Sequence, residues 1–144
     1  MTLALEQAEQ CIPAPTAFCV GAVISSPESS EVLSTGYSRE LEGNTHAEAN
    51  AIDKLLNQQK DTQDKLQGSD IYTTMEPCSV RLSGNVDCTK RILQAGIKRV
   101  FLGTVEPDDF VKCEGVQLLK DAGVEVYTVP GFAERCLEVA RRGH

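Results

Sequence analysis

The chain has 144 residues, 41% of them hydrophobic and 24% charged, with a formal net charge of −7. That size and balance predict one soluble globular domain over residues 1–144, with a core that needs no covalent staples. The acidity argues against nucleic acid as a partner, because phosphates are bound by Lys and Arg; no apolar run or basic leader points to a membrane or to export, so the expected location is cytoplasmic.

Thr2 to Gln10 has helical spacing, with Leu3, Ala4 and Ala8 on one side. Pro13 and Pro15 break that helix. Phe18 to Ile24 is an apolar, β-branched run and reads as a buried strand. Pro27 to Glu31 is a polar hairpin loop, and Val32 to Ser38 pairs back as a second strand. A helix follows from Thr45 to about Gln59, with Thr45 as N-cap and Glu48 three residues on. Asp61 to Gly68 reads as a polar, mobile loop, and Asp70 to Thr74 as a third strand. Pro77 suits the first position of a helix, where its missing N–H costs nothing. Cys88 to Ala95 resumes a helix that Gly96 stops. Lys98 to Gly103 is a fourth strand, Glu106 to Asp109 an acidic loop, and Gly115 to Ala122 a helix. Val124 to Val129 is a fifth strand and Phe132 to Arg142 a last amphipathic helix. The alternation predicts an α/β fold with a mixed five-stranded sheet covered by helices on both faces.

Two stretches carry chemistry. One is Thr45-His46-Ala47-Glu48; the other is Met75-Glu76-Pro77-Cys78, followed after nine residues by Cys88. One imidazole and two thiolates suit a tetrahedral zinc ion and leave its fourth position for water. The chain has only two histidines, His46 and the terminal His144, so His46 is the one available ligand of its type. Cys78 is expected at a helix N-terminus, whose dipole would favour its thiolate and whose backbone N–H would stabilise developing negative charge. The plain alternative makes Cys78 and Cys88 two buried small hydrophobes, the reading given to Cys11, Cys19, Cys113 and Cys136. Glu48 has two roles open to it. It could complete a capping box with Thr45, or move protons beside the metal; its place two residues from His46 favours the second. His-x-Glu followed by Pro-Cys and a further Cys is the pattern of zinc-dependent hydrolytic deamination.

His46-Ala47-Glu48 with Glu76-Pro77-Cys78 and Cys88 resembles the cytidine deaminase superfamily, and Phe18 to Ala22 is similar to its first core strand. Within it, the long gap between cysteines, the Glu106-Pro107 loop and the Gly115 to Val126 segment resemble the riboflavin-biosynthesis pyrimidine deaminases. The chain is too short for the reductase domain of the bacterial bifunctional enzymes, carries Ala17 where they have Asn, and has a longer inter-cysteine gap. It looks more like the stand-alone fungal-type branch. The resemblance implies a three-layer α/β/α cytidine-deaminase-like fold, a zinc cofactor held by His46, Cys78 and Cys88, and Glu48 as the catalytic proton carrier. The implied reaction removes the 2-amino group of 2,5-diamino-6-ribitylamino-4(3H)-pyrimidinone 5'-phosphate. The alternatives are another small base or nucleoside (cytosine, cytidine, guanine) or a non-catalytic zinc-stabilised subunit.

Substrate contacts are expected from Arg81 and Asn85, in the loop between the two cysteines, where Arg81 suits a phosphate; a solvated Arg and a turn are the alternatives. Asn44 could bind a sugar hydroxyl or simply make a turn, and Phe18 could stack on a ring or sit in the core. The pairs Lys90-Arg91 and Arg141-Arg142 read as solvent-facing. Family resemblance implies a homodimer, with Val100 to Gly103 and the C-terminal helix as the candidate surface.

Overall fold

The computed structural model describes residues 1–79, 86–105 and 114–143. Three of the notable sequence features therefore lie outside the described residues: Arg81 and Asn85, the Glu106 to Asp109 loop, and Cys113. The described elements run α1 (Thr2–Gln10), β1 (Gly21–Ser25), β2 (Val32–Tyr37), α2 (Ala47–Leu56), α3 (Lys60–Gln63), β3 (Asp70–Met75), α4 (Cys88–Ala95), β4 (Arg99–Thr104), α5 (Gly115–Asp121), β5 (Glu125–Thr128) and α6 (Ala133–Ala140).

The strands form one five-stranded mixed sheet in the order β2-β1-β3-β4-β5. β1 pairs antiparallel with β2 and with β3, while β3–β4 and β4–β5 are parallel. The parallel pairs are joined by crossovers through α4 and α5, as parallel connections require. α1 and α6 pack on one face of the sheet; α2, α4 and α5 cover the other. That is the expected three-layer α/β/α arrangement.

The larger core lies under α2 and α4. Ile24, Ile71, Val100 and Leu102 point from the sheet to meet Ile52, Leu55, Ile92 and Leu119, all within 2% of full burial. Each such side chain contributes about 1.5–3 kcal/mol of transfer free energy. Val100 and Leu102 are thus consumed inside the chain and cannot supply the association surface expected of them. α6 likewise turns Cys136 and Val139 onto Leu5 and Ala8 of α1.

One glycine sets how closely α2 approaches the sheet. A Cβ on Gly36 of β2 would lie 2.3 Å from the Ala47 carbonyl oxygen and 2.7 Å from the Ala51 nitrogen. Only a residue without a side chain lets the first turn of α2 sit there.

Several local expectations shift. β1 begins at Gly21 because the preceding backbone bonds elsewhere: the Cys19 N–H donates to the Ala140 carbonyl (2.9 Å) and the Val20 N–H to the Ser38 hydroxyl (2.9 Å). The loop expected at 61–68 contains the single turn α3, pinned by Gln63 Nε2 to the Leu56 and Gln58 carbonyls. Arg142 does not face solvent only: its Nη2 bonds the carbonyls of Ala8, Glu9 and Cys11 at 2.8–3.1 Å, closing the C-terminus of α1. Arg91 pairs with Asp53 of α2, while Lys90 is exposed as expected. No disulfide joins Cys11, Cys19, Cys78, Cys88 and Cys136. Among the described residues no helix is long and apolar enough to cross a membrane.

Candidate active site

The site forms where α2 begins, β3 ends and α4 begins. His46 occupies the N-cap position of α2 with extended backbone (φ −96°, ψ 154°). Thr45, the expected cap, is one residue too early: its hydroxyl donates to the Leu41 carbonyl (2.9 Å). The buried Asn50 fastens this entry, its Nδ2 donating to the Thr45 hydroxyl (3.1 Å) and the Tyr37 carbonyl (2.9 Å). The chain is thereby held in the conformation that presents the imidazole. Sequence reasoning did not single out Asn50; an amide at a fully buried helical position is the signal that could have found it.

Cys78 follows β3 directly. The ladder runs one residue past the strand, with the Glu76 N–H donating to Thr104 (3.0 Å). No helix starts at Pro77: the helix begins at Cys88, capped by Asp87, whose carboxylate accepts from the Lys90 N–H (2.9 Å). The two cysteines are clamped together by the backbone. Thr89 donates both its N–H (3.1 Å) and its hydroxyl (2.8 Å) to the Cys78 carbonyl, and the Cys88 N–H points at the Cys78 sulfur (3.3 Å). Gly115 allows α5 to close against this corner, since a Cβ there would lie 2.2 Å from the Pro77 carbonyl oxygen. Thr89 carries no motif signal, and Gly115, which opens a segment noted only for its resemblance, shows its steric role only in the packing.

The ligand-type atoms converge. His46 Nδ1 lies 3.4 Å from Cys78 Sγ and 3.4 Å from Cys88 Sγ. All three atoms fall within 4.8 Å of one another, and they form the one such group among the described residues. A tetrahedral zinc bound by nitrogen at about 2.0 Å and sulfur at about 2.3 Å would set each nitrogen–sulfur edge near 3.5 Å. The donor set and its spacing therefore fit that ion.

The two thiols differ in their electrostatics. Cys78 is pulled down to about 5, first by the hydrogen bond from the Cys88 thiol, then by His46 and the Cys88 N–H, against the opposing effect of burial. Cys88 is pushed up by the same pairing and by burial. The expected direction for Cys78 holds, but its cause is the neighbouring thiol and amide rather than a helix starting at that residue.

Glu48 is 4% exposed in the second position of α2. Its Oε1 lies 3.0 Å from the Thr73 hydroxyl. Burial, then the charge of Cys78, raises its carboxyl above the usual range. The N-cap residue His46 makes no side-chain cap hydrogen bond and the Thr45 hydroxyl is spent on Leu41, so Thr45 does not form the capping box expected with Glu48. Asn44 is exposed two residues before His46, and Phe18 is half-buried with its carbonyl accepting from Arg39 (3.5 Å). The site lies beyond the C-terminal ends of the parallel strands β3 and β4, the usual position for ligands in open α/β sheets. A cavity of about 260 Å³ at the opposite ends of these strands, lined by Asp70, Tyr72 and Arg99, contains none of these residues.

Comparison with known proteins agrees with this geometry. Residues 1–104 match the family model "Cytidine and deoxycytidylate deaminase zinc-binding region". The chain is 51% identical over its whole length to a diaminohydroxyphosphoribosylamino-pyrimidine deaminase of Schizosaccharomyces pombe, covering 35% of that protein. It is 32% identical over 126 residues to the riboflavin biosynthesis protein RibD of Aquifex aeolicus, covering 88% of the chain and 32% of that protein. The chain thus spans about a third of the length of these curated relatives. A crystal structure of Aspergillus oryzae Rib2 deaminase, a C-terminal deletion mutant, superposes with a TM-score of 0.86 at 36% identity, over 99% of this chain and 89% of that one. The same protein has been crystallised in complex with DARIPP (TM-score 0.85, 35% identity, 99% of this chain and 88% of that one). The chain belongs to the cytidine and deoxycytidylate deaminase family.

Proposed function

We propose that residues 1–144 act as one zinc-dependent deaminase domain that removes the 2-amino group of 2,5-diamino-6-ribitylamino-4(3H)-pyrimidinone 5'-phosphate, releasing ammonia in riboflavin biosynthesis. The observation that carries this reading is the convergence of His46 Nδ1 and the sulfurs of Cys78 and Cys88 beside a buried carboxylate, Glu48. Identity to the fission-yeast deaminase over the whole chain supports the choice of substrate class.

In this reading His46, Cys78 and Cys88 hold the zinc. Bound there, the ion supplies a Lewis acid that makes water nucleophilic near neutral pH. Glu48 takes the proton that water gives up as its oxygen bonds to the ring carbon. It returns that proton to the ring nitrogen, then carries the proton of the new hydroxyl to the amine as the carbonyl forms, the carbon–nitrogen bond breaks and ammonia leaves. Burial equips Glu48 for this work, because a raised carboxyl holds a proton closer to neutral pH than an exposed one. The clamp from Thr89 and the Cys88 N–H keeps both sulfurs in place through the cycle. Asn44, Arg81, Asn85 and Phe18 are assigned to the substrate, with Arg81 on the phosphate. The reading also includes a homodimer, which light scattering would report as twice the mass of the chain.

Ammonia release from a panel tests the proposal. The zinc-loaded chain is expected to act on the ribitylamino-pyrimidinone phosphate and not on cytosine, cytidine or guanine. Turnover of one of those three instead would overturn the substrate. No release from any of them, with zinc bound, would favour a non-catalytic subunit.

A further inference from the structure

β3 carries a polar side chain where its pattern asks for an apolar one. Ile71, Thr73 and Met75 alternate onto the face that meets α2 and α4, and all three are at most 2% exposed. Valine would fill the Thr73 position with nearly the same shape. A buried hydroxyl costs free energy unless it is hydrogen-bonded, so its partners should explain its presence. It has two: Glu48 Oε1 at 3.0 Å and the Met75 carbonyl at 2.8 Å.

We infer that Thr73 is a positioning residue for Glu48, anchoring Oε1 on the sheet so that the other carboxylate oxygen faces the reacting groups. This rests on the reading of Glu48 as the proton carrier. The hydroxyl lies between two oxygens, Glu48 Oε1 and the Met75 carbonyl, and so holds the carboxylate at a fixed point on the sheet. It also ties the carboxylate to the strand that delivers Cys78, three residues beyond Met75. A proton carrier must be held in productive geometry for its full effect, and a rigid strand holds it better than a loop.

The test compares Thr73→Val, Thr73→Ser and Glu48→Gln in the full chain, with zinc content and kinetics measured for each. Thr73→Val is expected to keep zinc at the wild-type level, lower kcat on the order of 10- to 100-fold and leave KM within about twofold. Thr73→Ser, which restores the hydroxyl but not the methyl, is expected to recover most of kcat. A Thr73→Val enzyme with wild-type kcat would overturn the inference, as would equal loss in the serine variant or loss of zinc, since packing or metal retention would then be the cause. Glu48→Gln separates the two readings: if it turns over normally, the role of Glu48 itself has failed. If it is inactive while Thr73→Val is normal, only the role of Thr73 has failed.

Discussion

Replacing Glu48 with glutamine isolates proton transfer from every other property of the site. The side chain is 4% exposed, and glutamine matches it in size and shape. The amide oxygen can still accept from the Thr73 hydroxyl, 3.0 Å away in the wild type. What glutamine cannot do is bind and release a proton. General acid–base catalysis by one group contributes about 10²- to 10⁴-fold, or roughly 3–5 kcal/mol of barrier. Folding should not suffer, because the raised carboxyl already signals a desolvation cost that a neutral amide removes. Glu48→Gln is therefore expected to retain zinc, hold its Tm within about 2 °C and lose about 10²-fold or more in kcat. Ammonia release under saturating substrate, with zinc measured on the same sample, reads all of this out. A zinc-bound variant turning over near the wild-type rate would refute the assignment.

Other expectations follow from the same contacts. Asp87→Ala removes the cap of α4 and should cost about 0.5–2 kcal/mol in denaturant unfolding, with weaker zinc retention because Cys88 opens that helix. Gly36→Ala pushes a Cβ into the backbone of α2 and should lower Tm by about 3–10 °C by calorimetry; an unchanged Tm would mean that α2 is not held against β2 there. Burial pushes the thiol of Cys136 up to about 11, and burial with the Cys19 hydrogen bond pushes Cys11 up to about 12. Few thiolates form at either site, so iodoacetamide at pH 8 should label neither in the folded chain and both after unfolding, as mass spectrometry would report. The unfolded Cys136 thiol ionises first, near its ordinary 9.0, so its contribution to stability should be intact below that pH and decline as pH rises toward about 11.

Most of the layer architecture was legible because hydrophobic period and punctuation agreed. α1 spans Thr2–Gln10 as expected, and Gly96 ends α4 with φ 73°, a left-handed cap. The convergence of His46, Cys78 and Cys88 was legible for another reason: one internal histidine and the Pro-Cys pair left few combinations. The misreadings share a cause. Thr45 and Pro77 are good helix starters locally, yet competing hydrogen bonds, one within the loop and one across the sheet, captured both regions. The Thr45 hydroxyl is taken by Leu41, and the chain after Met75 stays extended because Glu76 continues the pairing with Thr104. With no cap at Thr45 and Glu48 one place nearer the helix start, the capping box dissolves and the carboxylate turns inward. Asn50, Thr73 and Thr89 were illegible because each acts on a partner outside its own element, Tyr37, Glu48 and Cys78 in turn, that only the fold brings to it. A polar residue on an apolar face marks such a position, but only the fold names the partner.

Metal analysis of the purified full chain, handled without chelator, bears on all of these assignments at once. The proposed site predicts one zinc per chain in the wild type and loss of that zinc in Cys88→Ser, whose sulfur is fully buried 3.4 Å from His46 Nδ1. Wild-type protein that is folded but contains no zinc, or Cys88→Ser that holds a full equivalent, would contradict the assignment of His46, Cys78 and Cys88 as the metal ligands.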